Sequence, residues 1–212
     1  AALSGTYGDL TIASDGSYSY LANNANSLAT GATATDAFTY TVSDGVTTAT
    51  ATLVITVTGL NDQAPTAVDD TGAVNEDATL SVAAAGVLTN DSDADGDAIT
   101  VTAIAITSGA SGTIGAALSG TYGDLTIASD GSYSYLANNA NSLATGATAT
   151  DAFTYTVSDG VTTATATLVI TVTGLNDQAP TAVDDTGAVN EDATLSVAAA
   201  GVLTNDSDAD GD

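Results

Sequence analysis

Residues 151–173 read DAFTYTVSDGVTTATATLVITVT, and this stretch decides the fold. In Ala152 to Val157, the side chains of Phe153, Tyr155 and Val157 share one face. In Thr163 to Thr173, Ala164, Ala166, Leu168, Ile170 and Val172 face one way, and the threonines with Val169 face the other. A period of two in β-branched residues marks a half-buried strand. Ser158-Asp159-Gly160 between the two runs is a tight hairpin turn.

Working outward, a second hairpin joins Asp124–Ile127 to Tyr133–Leu136 through Ser129-Asp130-Gly131. Ile99–Ile106 is a further strand, whose alternation blurs near Ala103, the mark of a bulge or of two-sided burial. Thr66–Val74 and Thr79–Leu88 supply two more, so that in chain order strand A is Thr66–Val74, B is Thr79–Leu88, C is Ile99–Ile106, D and E are the second hairpin, and F and G the first. The long loop Ala137–Thr150 has room for a turn of helix, but no segment carries a helical stripe. About seven strands with turns between them predict an all-β chain built as an immunoglobulin-type β-sandwich of about 100 residues.

Ala1 to Asp97 recur letter for letter as Ala116 to Asp212, 115 residues further on. That period is a whole domain rather than one turn of a solenoid. The frame Asn61 to Leu175 is expected to be a complete sandwich. Residues 1–60 are then the C-terminal half of one repeat and 176–212 the N-terminal part of another. Pro65 and Pro180 follow the junctions, where a missing amide donor does least harm. The pattern starts and stops inside repeats, so the chain reads as a slice of a longer extracellular protein.

Composition excludes whole classes of function. The chain carries 26 acidic side chains, no Lys, Arg or His, and a formal charge of −26. Phosphate contacts need cations, so nucleic acid is a poor partner, and anionic membrane surfaces are excluded for the same reason. No apolar run is long enough to span a membrane. With no Cys, no disulfide staples the fold, and with no Lys neither does a Lys–Asn isopeptide bond. A Ser/His/Asp triad is impossible without His, so the chain is not expected to be an enzyme. A hydrophobic fraction of 44%, laid out in β-branched runs, argues against disorder.

The acids cluster. Asn90-Asp91-Ser92-Asp93-Ala94-Asp95-Gly96-Asp97 recurs at Asn205 to Asp212, giving Asp91, Asp93, Asp95 and Asp97, then Asp206, Asp208, Asp210 and Asp212. Aspartates at every second position, closed by Gly, can converge their oxygens on one hard cation, and calcium suits such a loop. Position twelve of an EF-hand loop falls on Thr102 rather than Glu, so this is not an EF-hand. The linkers Asn61-Asp62-Gln63-Ala64-Pro65 and Asn176-Asp177-Gln178-Ala179-Pro180 add Asn61, Asp62, Asn176 and Asp177. The turn between the first two strands adds Glu76 and Asp77, and its copy adds Glu191 and Asp192.

Immunoglobulin-type connectivity then predicts where these meet. The A–B and E–F turns lie beside the exit of strand G, so Glu76, Asp77 and Asp151 should gather at Asn176-Asp177, with Asp206 to Asp212 arriving from the next repeat. The upstream junction reuses Asp36, Asn61, Asp62 and Asp91 to Asp97. Asp69, Asp70, Asp130 and Asp159 lie nearer the other end, as further candidates for ions or simply as turn residues. Ca²⁺ bound between modules is the expected cofactor.

The strings VTGLNDQAPTAVDD (57–70), NED (75–77), GVLTNDSDADGDAITVTAI (86–104), GTYGDLTIASDGSYSYL (120–136) and DAFTYTVSDG (151–160) together resemble the VCBS, or bacterial cadherin-like, repeats of giant RTX-type adhesins. The resemblance implies tandem Ca²⁺-binding Greek-key sandwiches joined end to end, type I secretion and display on the bacterial surface. Asn61, Asp62, Ala64, Pro65, Asp93 and Asp95 also look like cadherin junction motifs. Cadherins carry a further acidic motif between strands E and F, where this chain offers only Asp151. The expected function is an extender that Ca²⁺ stiffens, holding an adhesive domain away from the cell. Its partners are the neighbouring identical repeats, with lateral contact to other copies as an added possibility. Two other readings stay open: a Ca²⁺-dependent glycan-binding module, and a subunit of a self-assembling filament or surface layer.

Overall fold

The computed structural model describes residues 2–210. In the first copy of the repeat, β1 (Leu3–Ser4), β2 (Asp9–Ile12) and β3 (Tyr18–Leu21) form a three-stranded antiparallel sheet, and β4 (Thr33–Ser43) pairs antiparallel with β5 (Thr48–Thr58). The next repeat adds β6 (Asp70–Asn75), β7 (Thr79–Val82), β8 (Thr100–Ile106), β9 (Ser111–Gly112), β10 (Leu118–Ser119), β11 (Asp124–Ile127), β12 (Tyr133–Leu136), β13 (Thr148–Ser158) and β14 (Thr163–Thr173). These make two sheets, in the orders β10-β11-β12-β7 and β6-β14-β13-β8-β9. The chain is all-β, and its described helical residues are confined to two short 3-10 turns.

Compactness divides the chain into two units. One holds residues 1–67, 90–100 and 156–165, and the other holds 68–89, 101–155 and 166–212. In the second unit the core forms where the alternating strands face inward. Leu125, Ile127, Tyr133 and Tyr135 come from one sheet, and Phe153, Tyr155, Leu168, Ile170 and Val172 from the other. Tyr135 and Phe153 meet edge to face at 6.2 Å between ring centres.

The second hairpin has the bounds its sequence predicts. Strand B is shorter than expected: β7 stops at Val82, and the chain then turns through the 3-10 segment Gly86–Leu88, which buries Val87 completely. In β8 the blurred alternation is real. Thr102 and Ala103 are both exposed between buried Val101 and Ile104, the change of face that a bulge produces. The loop after β12 holds no helix, and β13 begins earlier than expected, at Thr148.

Identical letters behave differently in different surroundings. β6 exists because it pairs in parallel with β14, Leu168 opposite Asp70 through Thr173 opposite Asn75. β7 exists because it pairs antiparallel with β12. Among the described residues, the same sequences at 185–190 and 194–197 meet no such partners and form no strands. Likewise Tyr155 is 1% exposed and Val157 0%, whereas their copies Tyr40 and Val42 are 36% and 54% exposed.

Candidate metal centre

The parallel register of β6 on β14 delivers the A–B turn to the exit of strand G. Glu76 N–H donates to Thr173 O at 2.9 Å, and Asp77 N–H to Ala137 O at 2.8 Å, with Asp77 in the left-handed region at φ 58°. The exit is pinned by Gly174, whose N–H reaches Ala147 O at 2.9 Å while its carbonyl accepts from Gly146 at 2.9 Å. A Cβ on Gly174 would lie 2.5 Å from two carbonyl oxygens, so only glycine lets the linker leave this way. Leu175 N–H then donates to Glu76 Oε1.

Two residues on, the N–H groups of Asp177 and Gln178 both donate to Asp210 Oδ2, at 3.1 and 3.0 Å. The carboxylates of Glu76, Asp177 and Asp210 come within 4.8 Å of one another. They arrive from the A–B turn, the exit linker and the aspartate loop of the following repeat. Glu76 and Asp210 are 1% exposed or less, yet Glu76 Oε2 and Asp210 Oδ1 have no hydrogen-bond partner.

The first unit repeats the device. Asp62 and Gln63 donate their N–H groups to Asp95 Oδ2 at 3.0 and 2.9 Å. Asp93, Asp95 and Asp97 gather within 4.8 Å. Asp93 Oδ1 accepts from the N–H groups of Asp95 and Asp97 at 2.9 and 3.2 Å, which curls the loop around its own carboxylates. Asn61 Oδ1, Asp93 Oδ2 and Asp95 Oδ1 are buried without partners. Asp97 holds Thr30, accepting from its N–H at 3.0 Å and its hydroxyl at 2.6 Å.

Two carboxylates at such a separation repel by roughly 3–4 kcal/mol at an effective dielectric near 20. No Lys, Arg or His exists to offset this. An all-oxygen donor set with buried, unpartnered lone pairs fits a hard divalent cation, and Ca²⁺ in particular tolerates the irregular geometry. Asp95 and Asp210 occupy the same place in the repeat, so that one position belongs to both groups.

The other sequence-predicted residues fall outside these groups. Asp151 is not brought to the linker. Its Oδ1 accepts from Thr121 N–H at 2.8 Å, and its Oδ2 from Tyr122 N–H at 2.9 Å and Tyr135 O–H at 2.7 Å. Asp36 repeats this with Thr6, Tyr7 and Tyr20. Burial pushes the Asp36 carboxyl up, but hydrogen bonds from the Tyr20 hydroxyl and the Thr6, Tyr7 and Gly8 backbone outweigh it and hold the pKa below the ordinary value. The signal was present in the alternation: Asp151 shares the inward face with Phe153, Tyr155 and Val157.

Asp77, Asn176, Glu191 and Asp192 are exposed. Asp206 accepts from Val183 N–H at 2.8 Å, and Asp208 from Asp210 N–H at 2.9 Å. Asp91 stands beside Ser92, whose backbone bridges Thr66. Asp212 lies outside the described residues. The candidates at the other end serve as structural acceptors. Asp69 accepts from Thr167 N–H at 2.8 Å and Asp70 from Tyr155 O–H at 2.8 Å, while Asp130 and Asp159 close their turns through Ser132 and Thr162. Thr30 was not anticipated, and nothing in the local sequence marks it.

Residues 1–59 and 62–174 each match the model of the bacterial cadherin-like domain. The chain belongs to this family. Its two bacterial cadherin-like domains stand in tandem within one chain. The fold is also similar to the protocadherin gammaB4 extracellular domain, with a TM-score of 0.50, 17% identity, and coverage of 88% of this chain and 29% of that one. Protocadherin gammaB7 repeats 3–6 give 0.49, at 15% identity over 90% of this chain and 44% of that one. An endo-fucoidan hydrolase of glycoside hydrolase family 107 gives 0.34, at 22% identity over 83% of this chain and 23% of that one. The bacterial cadherin-like chain thus spans less than half of each of these structures. No curated protein matches it. Among the described residues no helix is long and apolar enough to cross a membrane.

Proposed function

We propose that the chain is a calcium-stiffened extender of a large bacterial surface adhesin of the VCBS, RTX-associated kind. In this reading it is exported by type I secretion and holds a distal binding domain away from the cell. One observation carries the proposal: Glu76, Asp177 and Asp210 come from three separate segments, and two of them bury carboxylate oxygens that nothing in the protein satisfies. A linker crossed by such a group is fixed in direction when a cation fills it and is free to swing when repulsion opens it. Glu76, Asp177 and Asp210 would hold one ion, with Asp93, Asp95, Asp97 and Asn61 holding the corresponding upstream ion. Where a junction carries both groups, the Asp95-type carboxylate would be shared. The role is mechanical, and we assign the chain no catalysis.

Small-angle scattering under calcium titration tests this. The maximum dimension is expected to grow, and the flexible component of the profile to disappear, as Ca²⁺ is added, with EDTA reversing both. A profile unchanged by Ca²⁺ would refute the extender.

A further inference from the structure

The loop between β3 and β4 reaches the aspartate loop of the following repeat. Thr30 donates its N–H to Asp97 Oδ1 at 3.0 Å and its hydroxyl to Asp97 Oδ2 at 2.6 Å. The two residues stand 67 positions apart, on either side of the linker and within one compact unit. A Cβ on Gly96 would meet Ser27 O at 3.8 Å, an ordinary contact distance, so the two loops lie against each other.

Both ends of this contact are built. Thr30 is the second residue of the turn Ala29-Thr30-Gly31-Ala32, which Ala32 N–H closes on Ala29 O at 2.8 Å, with Gly31 in the left-handed region at φ 74°. The turn uses the N–H of Ala32 and leaves that of Thr30 for Asp97. It is anchored where β5 ends: Gly31 N–H donates to Gly59 O at 3.1 Å, and Gly59 N–H to Ala32 O at 2.9 Å. The complete repeat makes the same platform. Ala147 N–H donates to Ala144 O at 2.7 Å, Gly146 stands at φ 75°, and Gly146 is tied to Gly174, so Thr145 takes the place of Thr30. On the other side, the backbone N–H of Asp97 is held by Asp93 Oδ1 at 3.2 Å.

We propose that Thr30 is a positioning residue of the upstream cation site, through which one repeat orients a ligand carried by the next. The inference rests on the reading of Asp93, Asp95 and Asp97 as cation ligands, which the buried, unpartnered Asp93 Oδ2 and Asp95 Oδ1 support. Each carboxylate oxygen has two lone pairs, so Asp97 can accept from Thr30 and still face a cation. Released from Thr30, its side chain would rotate away from Asp93 and Asp95, the like charges beside it. A hydrogen bond from behind a ligating carboxylate fixes its direction and raises metal affinity. Coupling of this kind is reciprocal: by whatever factor Thr30 tightens cation binding, the cation tightens the contact to Thr30. Calcium thereby strengthens a contact between repeats made by a residue that is not itself a ligand.

The test is calcium titration calorimetry on the 212-residue chain. Thr30→Val keeps the side-chain shape and the backbone N–H and deletes the 2.6 Å bond. It is expected to weaken one class of calcium site roughly tenfold, the same class that Asp97→Ala weakens. The site of Glu76, Asp177 and Asp210 is expected to keep its affinity. Thr30→Ser restores the hydroxyl and is expected to restore the affinity. Added to Asp97→Ala, Thr30→Val is expected to change nothing further. A Thr30→Val chain that binds calcium as the native chain does overturns the proposal. So does an effect that persists in the Asp97→Ala background or that Thr30→Ser fails to reverse. A native chain that binds no calcium refutes the extender as well, whereas calcium binding indifferent to Thr30→Val removes this inference alone.

Discussion

Replacing Asp151 by Asn separates a structural carboxylate from a metal ligand. The Asp151 side chain accepts from two backbone N–H groups and the Tyr135 hydroxyl, at 2.7–2.9 Å, and is 4% exposed. An Asn of the same shape keeps one acceptor oxygen and turns an NH₂ group toward donors, so at least one of the three bonds is lost. Hydrogen bonds to charged acceptors contribute roughly 1.5–3 kcal/mol each, and the remaining ones weaken once the charge is gone, so the total cost is about 2–4 kcal/mol. For a sandwich of about 100 residues that lowers the melting temperature by roughly 10–20 °C. Calorimetry of Asp151→Asn in EDTA and in Ca²⁺ is expected to show the same loss in both, with calcium affinity unchanged. A variant that melts normally in EDTA but loses stabilisation by Ca²⁺ would show that Asp151 is a ligand, and the reasoning would fail.

Glu76→Gln carries the opposite sign. Removing one charge from a group of three carboxylates, two of them buried, is expected to raise the melting temperature in EDTA and lower it in Ca²⁺, and a loss in both would contradict this. Val157→Ala empties a fully buried site and is expected to cost about 2 kcal/mol by denaturant titration, and a loss under about 0.5 kcal/mol would contradict its packing. Alkali offers a third test. Burial, and then the Asp151 hydrogen bond, push the Tyr135 hydroxyl above its ordinary pKa of 10.0, so the folded chain holds that proton more tightly than the unfolded one. Its contribution to stability is complete below pH 10.0 and is lost as pH rises beyond it. Tyr135→Phe is expected to flatten the fall in melting temperature above that point, and an unchanged slope would contradict the assignment.

The sandwich was legible because its strands alternate strictly. Phe153, Tyr155 and Val157 face inward as the period of two requires, and the Asp-Gly turns close where turn chemistry puts them. Strand B was overextended because Ala83 to Leu88 continues an apolar run, and composition alone does not reveal that the chain must turn to bury Val87. The two-residue strands β9 and β10 escaped because a pair of residues carries no period. The meeting of Glu76 with Asp177 and Asp210 was legible from connectivity, since parallel pairing of the first strand with the last brings the A–B turn to the exit linker. Asp151 lies next to the E–F turn in sequence, but its phase on the strand turns it inward, where it accepts from Thr121, Tyr122 and Tyr135. The latch from Asp97 to Thr30 depends on two loops 67 residues apart, and no local pattern encodes it.

The central claim is that the buried carboxylates of each junction are cation ligands, and thermal unfolding of the 212-residue chain in EDTA, in CaCl₂, and in NaCl of matched ionic strength tests it most directly. A site filled at 100 times its dissociation constant adds about 2.7 kcal/mol, so calcium is expected to raise the melting temperature by roughly 10 °C or more, beyond anything the sodium salt achieves. Superimposable curves in all three solutions, or an equal rise with sodium, would mean that the acids are merely screened charges and that nothing binds between Glu76, Asp177 and Asp210.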